Sequence, residues 1–132
     1  MQTAKLVSLA LIMLIVDIVW LGYISNYFTD YNQTINKVQK SPLKPRYLGG
    51  FIAYILMFIG FLVFVYPNVK DSINPLKDSL YYGGLYGLTV YGIYNGTNYF
   101  TFEDWDKKTV LVDSLWGATL YTSIAFISNK IN

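Results

Sequence analysis

The sequence predicts an all-α membrane protein, a bundle of four transmembrane helices forming one domain over residues 1–132. Three observations predict it. Apolar residues make up 54% of the chain and charged residues 14%, against about 25% charge in an average soluble domain. Four apolar runs each approach the roughly 20 residues that cross a ~30 Å hydrocarbon core. Tyr and Trp gather near the run ends, at Tyr23, Tyr27, Tyr47, Tyr66, Tyr81, Tyr82, Tyr99 and Trp105, as they do in interfacial belts.

The first span covers residues 6–27. Lys5 and the apolar run Leu6–Val16 have the look of a signal peptide. No small-x-small cleavage site follows, only Asp17, Ile18, Val19 and Trp20, so the segment reads as an uncleaved span. A polar loop comes next, with Lys37, Lys40, Lys44 and Arg46. Tyr31, Ile35 and Val38 recur there at helical spacing, which fits a short interfacial helix closed by Pro42 and Pro45. The second span, residues 48–66, is apolar all round and ends at Pro67. Asn74-Pro75 is a turn signal ahead of the third span, residues 79–100. A short loop with Glu103, Asp104, Asp106, Lys107 and Lys108 leads to the fourth, residues 109–128. The end bearing both termini carries Lys5, Lys70, Lys77 and Lys130. The other carries Lys37, Lys40, Lys44, Arg46, Lys107 and Lys108, a bias that points both termini outward.

Composition narrows the chemistry. Net charge is +2 with no basic run, which excludes a nucleic-acid partner. Cys and His are both absent. That removes disulfides, thiolate or imidazole metal sites, and Ser-His or Cys-His catalysis. No metal and no cofactor is expected, and the balance leans away from an enzyme.

Two carboxylates nevertheless lie inside spans, Asp17 in the first and Asp113 in the fourth. Each costs on the order of 2.5–3.5 kcal/mol at the bilayer centre, and spanning a membrane requires neither. In both spans a Trp follows three positions later, Trp20 and Trp116, on the same helix face. A glycine stands just beyond, Gly22 and Gly117. The match makes a degenerate inverted repeat of two helical hairpins a candidate internal symmetry. On the third span Gly84, Tyr91, Asn95 and Asn98 fall within about a 60° arc, a polar stripe on an apolar helix. Gly83 with Gly87, and Gly92 with Gly96, form two G-x-x-x-G pairs on opposite faces. Such pairs allow close backbone approach and make the third span the central helix. The expected site is therefore an intramembrane cluster of Asp17, Asn95, Thr97, Asn98 and Asp113, edged by Trp20, Tyr91 and Trp116. Gly22, Gly83, Gly87, Gly92, Gly96 and Gly117 are the expected packing positions.

The Asp17-x-x-Trp20-Leu21-Gly22 stretch, the Tyr91–Asn98 stretch ending Gly96-Thr97-Asn98, and Asp113-x-x-Trp116-Gly117 together resemble the DUF2177 family of small predicted membrane proteins. The resemblance covers nearly the whole chain in order. By position it places the family's motif residues on Asp17, Trp20, Gly22, Thr97, Asn98, Asp113, Trp116 and Gly117. It implies four spans and a membrane location, either a bacterial inner membrane or a viral or host membrane. It implies no activity.

Three readings of function follow. The leading one is a multi-pass protein that binds or transports an ion or small solute at the Asp/Asn cluster. The second is a structural membrane component, such as a viral envelope protein or a complex subunit, with the cluster as glue. The third is a membrane-embedded enzyme on an apolar substrate, Asp17 and Asp113 being acid and base. The bilayer is the expected partner, with a small molecule or ion as ligand and a homo-oligomer where four helices leave too narrow a path.

Overall fold

The computed structural model describes all 132 residues, and every element in it is a helix. These are α1 (Thr3–Phe28), α2 (Tyr31–Gln39), α3 (Tyr47–Val69), α4 (residues 75–101) and α5 (Lys107–Ile131). Three of them, α1, α3 and α5, are long and apolar enough to cross a membrane. The expected third span falls on α4, which is not among them, because Gly, Tyr, Asn and Thr dilute its apolar content.

Local chemistry sets the helix ends. Asn74 caps α4 by accepting from the Lys77 N–H at 3.5 Å, and Pro75 takes the first turn. What reads as a turn signal is thus a helix start. Asp106 caps α5 in the same way, accepting from the Thr109 N–H at 3.3 Å. Pro67 does not end α3, which runs on to Val69. A π turn over Phe61–Val65 lies just before it. Its wider winding relieves the clash between the proline ring and the preceding turn. Two more π turns interrupt α1 at Trp20–Ile24 and α4 at Ser79–Gly83. Helix α2 ends earlier than Pro42, at Gln39, with Lys40 in the left-handed conformation at φ 59°.

The central helix is α5, not α4. Thr109, Asp113, Gly117, Leu120, Tyr121, Ile124 and Ser128 form a buried stripe along its length, and α1, α3 and α4 all pack on it. Helix α4 lies flush with α5. A Cβ on Gly87 would strike the Gly117 backbone, and one on Gly83 would strike the Tyr121 carbonyl.

The two ends of the bundle differ. Toward the termini, Leu9 and Met13 of α1, Phe61, Val65 and Val69 of α3, and Leu120, Tyr121 and Ile124 of α5 form a closed apolar core. Asn129 ties the α3 end down, donating to the Val69 carbonyl at 2.7 Å. Toward α2 the packing opens, and Tyr47–Gly60 of α3 contains no buried residue. Outward-facing Val7, Leu11, Ile15, Phe64 and Leu111 are exposed, a surface suited to lipid rather than water.

Candidate functional site

The site grows from one short pattern used twice. In α1 Asp17 and Trp20 share a face, and in α5 Asp113 and Trp116 do. Three residues of helix rise about 4.5 Å. Two antiparallel helices carrying the same three-residue step can therefore bring both acids level with both indoles at once. The structure contains that crossed arrangement. Trp116 Nε1 donates to Asp17 Oδ1 at 2.8 Å, and Trp20 Nε1 donates to Asp113 Oδ1 at 3.2 Å. Between the two bonds the indoles stack, with centroids 4.5 Å apart and planes 7° from parallel. Phe28 extends the stack on the Trp20 side at 6.1 Å.

The remaining carboxylate oxygens are met from the other two long helices. Asn95 of α4 donates from Nδ2 to Asp113 Oδ2 at 2.6 Å and to the Tyr91 carbonyl at 2.9 Å. The Tyr54 hydroxyl of α3 donates to Asp17 Oδ2. Each of the four oxygens thus has one donor, and the network joins all four long helices. Both acids are 2% exposed. Neither has a cation within salt-bridge reach, since the one ion pair is Lys70–Asp71 on the surface. Hydrogen bonds to neutral donors offset only part of the desolvation of a buried carboxylate.

Both acids also line the inner end of a cavity of about 590 Å³ in the open half of the bundle. Tyr54, Tyr91, Tyr31 and Tyr94 stand around it, and Gly49, Gly50 and Ala53 form the α3 wall. Tyr91 is 8% exposed and its hydroxyl has no protein partner. At the mouth, Tyr31 of α2 and Tyr94 of α4 share a hydroxyl–hydroxyl bond of 2.9 Å, and both meet Trp105 edge-on. Burial, followed by the neighbouring Tyr94, pushes the Tyr31 hydroxyl far above the usual tyrosine range, so it stays neutral.

Of the residues singled out in the sequence, Asp17, Trp20, Tyr91, Asn95, Asp113 and Trp116 lie together. Asn98 is half-buried and makes no hydrogen bond to either acid. Thr97 is exposed and bonds back to the Ile93 and Tyr94 carbonyls at 2.6 and 3.2 Å. Gly83, Gly87 and Gly117 sit at close helix contacts, the last under the Tyr91 ring. Gly92 faces Ser114 Oγ at the 4.0 Å limit of contact, while Gly22 and Gly96 face open space. Tyr54 escaped the sequence reading. It lies in a segment that reads as apolar all round, and it is one of 13 tyrosines.

The two Asp-x-x-Trp motifs and the Asn95 helix between them make up a pattern spread along the whole chain, and a family model covers that pattern. It is the model of DUF2177, described as a predicted membrane protein, and it matches residues 3–129. The chain belongs to the DUF2177 family. No curated protein and no solved structure matches it. The family description places this DUF2177 chain with membrane proteins.

Proposed function

We propose that this DUF2177 protein binds an ion or small solute within the membrane, at the cavity whose inner end is formed by Asp17 and Asp113, and moves it across. The observation that carries this reading is the convergence of Asp17 and Asp113, the only acids within α1, α3 and α5, on one cavity of about 590 Å³. Intramembrane carboxylates mark ion and substrate paths, and a pocket of this size with few polar groups is typical of small-molecule sites. Four crossings are part of the proposal. Helix α4 supplies the third, because it lies flush with α5 and buries Tyr91 and Asn95 against it. The cavity is formed within one chain, so binding requires no second copy.

The matched motifs relate α1 to α5, whereas a tandem repeat of hairpins would relate α1 to α4. The crossed bonds follow from antiparallel packing of two identical steps and need no duplication. Flux into liposomes tests the reading. Asp17→Asn and Asp113→Asn should each lower it about tenfold or more, a barrier change of about 1.4 kcal/mol. Unchanged flux in both rejects the role of the carboxylates.

The structural reading keeps one specific support: all four carboxylate oxygens already have protein donors. On that reading the same substitutions lower thermal stability and leave flux and ligand binding as they are.

A further inference from the structure

We propose that the cavity takes a monovalent organic cation bearing apolar groups; this rests on the binding reading above and names its ligand class. Thirteen residues line the cavity, and Asp17 and Asp113 are the charged ones among them. No Lys or Arg pairs with either. Buried charges are normally paired or neutralised, and the neutral Trp, Tyr and Asn donors supply no counter-charge to either acid. An anion would be repelled, and an uncharged guest would leave the acids uncompensated. The basic residues Lys37, Lys40, Lys44 and Arg46 are exposed and do not line the cavity.

The walls then select among cations. A bare metal ion needs several oxygen or nitrogen ligands in place of its water shell, and no group of three acidic, His or Cys residues exists to supply them. The walls offer Tyr54, Tyr91, Tyr94 and Tyr31 instead, with Leu21, Met57 and Val90. Aromatic faces attract ammonium groups whose own surface is apolar. Ala53 and two glycines keep the α3 wall low.

The test uses the full chain in nanodiscs and the emission of its tryptophans, two of which form the stack beside the acids. The probes are benzyltrimethylammonium and neopentylbenzene, which differ only by carbon in place of the charged nitrogen. The cation is expected to bind saturably and at least about tenfold tighter than its neutral twin. The double variant Asp17→Asn/Asp113→Asn should abolish that preference. Gly50→Leu should block both probes; a Cβ at Gly50 meets nothing within 4 Å, and unchanged thermal stability of the variant checks that the fold is kept. Equal binding of the two probes, still blocked by Gly50→Leu, overturns the cation class and leaves the binding site standing. Binding of neither probe, or binding indifferent to Gly50→Leu, overturns both.

Discussion

Asp17 and Asp113 are each held by the tryptophan of the other's motif, so four residues do the work of a reciprocal clasp. Removing one indole leaves a buried carboxylate oxygen short of a donor, which costs about 1–3 kcal/mol. Trp20→Phe and Trp116→Phe should each destabilise by about that amount in a denaturant titration in mixed micelles. Combining Asp17→Ala, which removes the acceptor, with Trp116→Phe should cost less than the two changes added, by about 0.6 and up to about 1.7 kcal/mol, the average and maximum for interhelical bonds in membranes. Strict additivity would contradict the crossed bond. The acids and indoles were legible in the sequence because a charge in an apolar run stands out. Their crossed pairing was not, because spacing puts Asp and Trp on one face without saying which helix faces them. Asn98 shows the complementary limit. It shares an arc with Asn95, but it sits about 4.5 Å farther along the axis, so its angular position says nothing about reach.

At the scale of elements, glycine spacing alone does not tell which pairs carry a helix contact. Gly83 and Gly87 press on α5, while the equally spaced Gly96 faces open space. Gly87→Leu should therefore force α4 and α5 apart, costing about 1–3 kcal/mol or more as overpacking. Gly96→Ala should be neutral or stabilising by up to about 1 kcal/mol through helix propensity. The same titration measures both, and equal losses would contradict the packing described. The sequence reading made α4 central because its glycines are conspicuous. The central helix is α5, whose buried stripe mixes Thr, Asp, Gly, Leu, Tyr, Ile and Ser and so gives no strong apolar period. Helices α4 and α5 start four and two residues before their apolar cores, because the polar caps Asn74 and Asp106 set the starts rather than hydropathy.

At the scale of the molecule, the core closes toward the termini, and the cavity that Asp17 and Asp113 line sits in the open half toward α2. This asymmetry was not legible in the sequence. It arises where α3 loses contact with its neighbours, along a stretch whose Gly49, Gly50 and Ala53 offer too little side chain to fill the gap. The central claim is that Asp17 and Asp113 govern a cavity open on the α2 side, and the natural absence of cysteine permits a direct measurement. Ala53→Cys places one thiol in the α3 wall of the protein in liposomes. Its reaction rates with a cationic and an anionic methanethiosulfonate are compared from each side of the membrane. The account predicts labelling from the side that carries α2, with a ratio of cationic to anionic rates that drops when Asp17→Asn and Asp113→Asn are added. A thiol that stays unreactive from that side, or a ratio indifferent to the two acids, would contradict it.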